Sequence, residues 1–273
     1  MSTFKGMAAA GLWVALTLTA LPAMAASGTA LGVNPQAEAD TSGQSRVLTV
    51  GADIFIGDKV STGAKGQVQI KFSDKTELVV GPNSSLLIED YLLREDQSAG
   101  KLAINALSGT FRFATGGAPK DRYVIKTPTG TIGVRGTAFD FNVDAEGTEV
   151  LLFHGAVRLC NLAGTCVTLD DTCEIGTYDL TQSTILGDPA DLTKDQRAAL
   201  KANFKYAEVQ SPLLRQFWVE NARQCFNKGF VNDTPRSLMD GDDDTPAVEQ
   251  PCGDNGCCGD SNCCGEDDSE CAN

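Results

Sequence analysis

Between Thr127 and Phe141 the chain reads Thr-Pro-Thr-Gly-Thr-Ile-Gly-Val-Arg-Gly-Thr-Ala-Phe-Asp-Phe, and its apolar side chains change parity partway along. Ile132 and Val134 occupy even positions, whereas Phe139, Phe141 and Val143 occupy odd ones. Alternation of this kind marks a half-buried β-strand, whose successive side chains point to opposite faces. One uninterrupted strand cannot bury both sets together, because a slip of one residue sends every side chain to the other face. A single extra residue repairs the conflict, and Gly136 stands between the sets, where a kinked or left-handed backbone costs least. The pattern predicts a strand with a bulge at Gly136. Arg135, the only charge between Lys126 and Asp140, falls at the kink.

The same period recurs upstream. Val68, Ile70 and Phe72 alternate with Gln67, Gln69 and Lys71, and Phe111 and Phe113 flank Arg112, both as strands with one buried face. Turn formers punctuate the chain at short intervals: Gly57-Asp58, Gly63 to Gly66, Ser73-Asp74-Lys75, Gly81-Pro82-Asn83, Gly116-Gly117 and Thr127-Pro128. Residues 45–187 are expected to form an all-β domain, and the small, polar residues 26–44 a flexible lead-in. After Gly187-Asp188-Pro189 the character changes. Thr193 with Gln196 fits a capping box, and Leu200, Phe204 and Ala207 supply an apolar stripe. Ser211-Pro212 then resembles a second helix start, with Leu214, Phe217, Trp218, Asn221 and Cys225 at helical spacing and Gly229 as a stop. Residues 188–230 are expected as two helices packed on their own domain.

The ends differ from this middle. Lys5, the apolar run Ala8 to Leu21 and Ala23-Met24-Ala25 fit a signal peptide over residues 1–25, cleaved near Ala25. That run falls short of the roughly 20 residues a membrane span needs, and no second run of that length follows, so no span is expected in the mature chain. Net charge is −14, which argues against nucleic acid as a partner. Residues 231–273 form an acidic, cysteine-rich tail with few large apolar groups, expected to be disordered unless crosslinked or metal-bound.

With strands and turns laid out, residues from about Ser45 to Leu180 resemble the FecR family of bacterial envelope domains. The resemblance is carried by Gly57-Asp58-Lys59-Val60-Ser61-Thr62, Val68 to Asp74, Gly81-Pro82-Asn83-Ser84, Leu107-Ser108-Gly109-Thr110-Phe111 and Thr127-Pro128-Thr129-Gly130. Its strongest pieces are Val134-Arg135-Gly136-Thr137 and His154-Gly155-Ala156-Val157. Where the family has an Asp-Gly turn, this chain has Asp74-Lys75, which leaves that turn's type open. The resemblance implies an all-β solenoid or roll of short strands in the periplasm, with no catalytic residues to transfer. The family's best-known members join this module to a cytoplasmic anti-sigma segment and a membrane helix; neither is found here, so their transmembrane signalling is not carried over.

Few residues suggest chemistry. His154 is the only histidine and is expected in or beside a hairpin turn, without the orienting partner a base requires. No Gly-x-Ser-x-Gly, His-Glu-x-x-His or phosphate-binding loop is present. Arg135 is expected as a structural arginine, satisfied by backbone carbonyls or a carboxylate near the Gly136 kink, with an anion contact through its fork of donors as the alternative. In an oxidising compartment the ten cysteines favour disulfides. Cys160 and Cys166 flank a plausible hairpin loop, which would leave Cys173 to pair with Cys225; two other connectivities stay open. In the tail, Cys252, Cys257, Cys258, Cys263, Cys264 and Cys271 form tandem spaced units, expected as disulfides with metal binding as the alternative. No cofactor is expected. The function anticipated is a non-enzymatic, FecR-type binding or scaffold module of the bacterial envelope, periplasmic or secreted, with a place in envelope signalling. Its partner would be another envelope protein or an envelope polymer. The alternative is a metal-binding or redox-sensitive envelope protein acting through the cysteine-rich tail.

Overall fold

The computed structural model describes residues 26–93, 99–116 and 123–227. The expected signal peptide, Gly117, Gly229 and the tail with its six cysteines lie outside the described residues. Fifteen strands follow in order: β1 (Gly28–Asn34), β2 (Ala37–Thr41), β3 (Gln44–Val47), β4 (Asp53–Ile54) and β5 (Lys59–Thr62) come first. Next are β6 (Gln67–Phe72), β7 (Glu77–Val80), β8 (Ser85–Leu93), β9 (Ala99–Ala114) and β10 (Tyr123–Thr127). The set closes with β11 (Gly130–Val143), β12 (Thr148–Asn161), β13 (Cys166–Leu169), β14 (Ile175–Tyr178) and β15 (Ser183–Gly187). All join one sheet, and β9 with β10 is the parallel pair in an otherwise antiparallel ladder. The protein is all-β in its main body.

Three long strands bend, each at a glycine with positive φ: Gly109 (105°) in β9, Gly136 (65°) in β11 and Gly155 (87°) in β12. Before its bend β9 pairs with β8 and β10; beyond it, with β7 and β11. β11 changes partner from β10 to β9 across its own bend. The two halves of the sheet thereby close over one core. Phe72 meets Tyr91 at 5.6 Å between ring centres, and Phe113 meets Tyr123 edge-on at 5.8 Å, each pair joining the halves. Such contacts add specificity to the burial itself, which contributes about 1.5–3 kcal/mol for each large apolar side chain.

Residues 26–44 are not a lead-in. β1 pairs with β4 and β6, and β2 pairs with β3 and β5, with Ala30, Ala37 and Ala39 buried in the main core. Burial here falls on small side chains, so the segment lacks the large apolar alternation that marks its neighbours. Close approach explains one of them: a Cβ at Gly28 would lie 2.8 Å from the Lys71 carbonyl oxygen of β6.

A helical segment covers the outer face of one half of the sheet. α1 (Lys194–Asn203) opens with the expected capping box, Thr193 Oγ1 accepting from the Gln196 amide and Gln196 Oε1 from the Thr193 amide. α2 (Lys205–Glu208) and α3 (Gln224–Asn227) follow. Leu200, Phe204, Ala207, Ala222 and Phe226 pack on Leu151, Phe153 and Ile175. The second long helix does not form. After Pro212 the chain makes a 3₁₀ turn at Arg215–Phe217, goes extended at Trp218, and takes positive φ at Asn221 before α3. Gln210 favours this path, because its side chain bonds both the amide and the carbonyl of Val219.

Beneath the cover lies a charge pair. Arg112 was expected on a solvated face, yet its side chain is 2% exposed and forms a double hydrogen bond with fully buried Asp140, at 2.6 and 2.9 Å. The two stand directly opposite on β9 and β11. Gln210 Oε1 and the Phe217 carbonyl accept from the same guanidinium, which also lies 5.1 Å from the Phe153 ring centre. Complete burial pushes the Asp140 carboxyl above its ordinary value, against the opposing pull of Arg112.

Turn carboxylates anchor the other side. Asp58 accepts from the Phe55 amide (2.8 Å), from Arg46 (2.8 Å) and from the Thr41 hydroxyl. Asp74 accepts from the Tyr123 hydroxyl (2.8 Å) and the Thr76 hydroxyl (2.7 Å). Lys75, in the turn whose type the sequence left open, takes the left-handed conformation at φ 71°.

Two outcomes follow from these charges. Arg112→Met, which leaves Asp140 buried and unpaired, should cost about 3–5 kcal/mol in urea unfolding, whereas pairing it with Asp140→Leu should restore most of the loss. A single variant as mild as a surface change would contradict this. Asp58 behaves differently: burial raises its pKa, but the hydrogen bonds from Arg46, Thr41 and Phe55 outweigh burial and hold it below 3.8. A depressed acid stabilises the fold above its unfolded value, and that contribution disappears as pH falls through the folded value. Between pH 5 and 2 the native chain should therefore lose more stability than Asp58→Asn; parallel curves would refute the assignment.

Candidate functional site

The Gly136 bulge predicted from parity is present. Arg135 pairs with Ala156 and Ala138 with His154, so Gly136 and Thr137 together oppose Gly155. A second shift follows, because Phe139 pairs with Leu152 and leaves Phe153 as the extra residue of β12. The two bulges compensate, and Ile132, Val134, Phe139, Phe141 and Val143 all reach the main core. His154-Gly155 is therefore mid-strand rather than at a hairpin turn: β12 bends at Gly155 without reversing. His154 is exposed.

The preceding turn serves as a structural plug. Thr127 and Thr129 are buried, whereas Pro128 is exposed at the tip. The Thr127 hydroxyl lies 3.0 Å from that of Tyr178, and Thr129 and Thr127 each lie 3.2 Å from the Thr148 hydroxyl. Burial, the main cause, raises the Tyr178 pKa, and the Thr127 hydrogen bond opposes it. Thr137 is buried beside the bulge, its amide donating to the Thr115 hydroxyl at 3.1 Å.

The two strongest resemblance motifs meet across β11 and β12 and form the wall of an open cleft of about 420 Å³. Val124, Gly133, Arg135, Ala156, Arg158 and Thr168 line it, from four adjacent strands. Gly133 faces Arg158 directly and leaves the floor low; a methyl group there would come no closer than 3.7 Å to protein atoms. Both arginines are exposed. Among the described residues neither side chain makes a hydrogen bond or an ion pair. Their neighbours differ: Lys126 pairs with Glu89 at 2.6 Å and Lys101 with Asp90 at 2.9 Å. In a chain with 36 acidic and 22 basic side chains, two unpaired guanidiniums in one cleft make a local positive field. Each offers a planar fork suited to an anionic oxygen pair. Among the described residues, then, no carboxylate or carbonyl holds the Arg135 side chain as a structural arginine would need. Arg158 carried no signal in the sequence, since its role depends on the register that sets it opposite Gly133.

Cys160 is bonded to Cys166 across paired positions of β12 and β13, next to the Arg158–Thr168 pair. Cys173 is bonded to Cys225, fastening α3 to the sheet, and both are buried. Among the described residues no three histidine, cysteine or acidic side chains converge as a metal site. No described helix is long and apolar enough to cross a membrane.

Comparison with known proteins gives a family match: residues 58–158 match the FecR protein family. No curated protein matches the chain. Two solved structures from Parabacteroides distasonis ATCC 8503, each described as a "putative anti-sigma factor", are similar. One shares 14% identity over 47% of this chain and 57% of its own, with a TM-score of 0.37. The other shares 15% identity over 53% and 63%, with the same TM-score. This chain therefore spans less than two thirds of either.

The bend supplies a direct test of the cleft wall. A Cβ at Gly155 would lie 2.2 Å from the Gly136 carbonyl oxygen, at a φ that side chains rarely adopt. Gly155→Ala should cost about 3 kcal/mol in chemical denaturation. A loss within experimental error would show that the wall tolerates a side chain there.

Proposed function

We propose, with residues 58–158 identified as a FecR domain, that this chain is a non-enzymatic binding module of the bacterial envelope. The observation that carries this reading is the pair of exposed arginines in one cleft, with no side-chain partner among the described residues, where the motifs most characteristic of the resemblance form part of the wall. Anion recognition needs guanidinium forks on a rigid support, and adjacent strands of a large sheet supply one. The partner is an envelope protein or polymer that presents negative charge, and nucleic acid is disfavoured by the overall charge of −14. The N-terminal pattern supports export, to the periplasm or beyond, with cleavage near Ala25. The β-domain is best described as a roll, since a single parallel pair is a poor basis for a solenoid; its strands are not all short, because β9, β11 and β12 run 16, 14 and 14 residues.

A place in envelope signalling is consistent with the family and remains part of the proposal. The tail-based alternative, metal or redox sensing through Cys252 to Cys271, concerns residues outside those described, and no geometric observation favours it.

The test is affinity capture from an envelope fraction, using the full chain and an Arg135→Ala, Arg158→Ala double variant, at low and high salt. Salt-sensitive retention of a component by the native chain, lost in the equally stable double variant, is the expected result. Identical retention by both would remove the cleft from the function.

A further inference from the structure

The register of β11 and β12 constrains what the two arginines can hold together. Arg135 stands opposite Ala156, and Arg158 lies two residues further along β12, on the same face. Arg135 and Arg158 are therefore diagonal neighbours, whose Cβ atoms in an antiparallel pair lie about 7 Å apart. Both side chains line one cleft. An extended polypeptide repeats its same-side residues at about the same interval, two residues of about 3.3 Å each. Side chains at positions i and i+2 of an extended ligand can thus each meet one guanidinium. Adjacent residues cannot, because they point to opposite sides.

The floor between the arginines adds a second constraint. Val124, Gly133 and Ala156 offer short, mostly apolar surface, and no carboxylate is among the described residues that line the cleft. Methylene groups of a glutamate stem can rest on such a floor while the carboxylate reaches a guanidinium fork. A bare inorganic anion covers none of that surface.

We propose that the cleft recognises an extended acidic segment of a partner protein, with two carboxylate side chains separated by one residue. The proposal rests on the reading of this cleft as a binding surface, and it names the chemistry that surface selects. Charge complementarity commits it to an acidic peptide: the cleft concentrates positive charge on a chain of net charge −14.

Three probes of the full chain test it: capped Gly-Glu-Ser-Glu-Gly, its isomer capped Gly-Glu-Glu-Ser-Gly, and inorganic phosphate. The two peptides share composition and charge, so only carboxylate spacing differs. Calorimetry would give affinities, and NMR would follow the Nε–H signals of Arg135 and Arg158. The expected result is at least fivefold tighter binding of the spaced peptide than of its isomer or phosphate, with both arginine signals shifted. Arg135→Ala and Arg158→Ala should each abolish that preference, and the exposure of both side chains protects the fold. Equal binding of the two peptides, lost in both variants, would overturn the spacing while leaving the anion-binding cleft intact. Absence of any arginine response to all three probes would overturn both.

Discussion

A guanidinium and a carboxylate with almost no access to water, Arg112 and Asp140, stand at the centre of the face that the helical segment covers. Desolvating two such groups costs several kcal/mol each, and only good geometry offsets it. Here the geometry is a double hydrogen bond between directly opposed strands, with Gln210 and the Phe217 carbonyl accepting from Nη1. Gln210 in turn holds both backbone groups of Val219. The ion pair, the irregular course of the chain after Pro212 and the covering of the sheet therefore depend on one another. A helix running through that stretch would take the Val219 amide and carbonyl into its own ladder and release Gln210 from the arginine.

The cover also decides which surfaces are available. It occupies the outer face of the half-sheet that contains β6, β7 and the second half of β11. Among the described residues no segment covers the outer face of the other half-sheet, where the arginine cleft lies. Gly109, Gly136 and Gly155 mark where one half becomes the other, so the same bends that close the core also turn the two outer faces apart.

Much of this was legible in the residues. The parity change around Gly136 required a bulge, because two apolar sets had to reach one core. Thr193 with Gln196 announced its helix through side chains that bond only at a helix start. The failures share a physical cause, which is that local pattern does not report what lies across the fold. Ala30, Ala37 and Ala39 pack because β5 and β6 come close, and small residues give no alternation of large groups to read. Arg112 between phenylalanines has the signature of a solvated face; only Asp140, in the matching Phe-Asp-Phe, hinted that the two charges meet. His154-Gly155 has turn composition, yet its bend is matched by the Gly136 bulge on the partner strand. Arg158 acquires meaning from register alone.

The bond between Cys173 and Cys225 joins residues 52 apart and encloses the last two strands and most of the helical cover. Topologically this makes the covering segment a covalent ring seated on the sheet. A protease that nicks one exposed bond inside the ring releases no fragment, because both new ends stay tethered through the sulfurs. The cover can thus be cut and still remain in place over the buried ion pair.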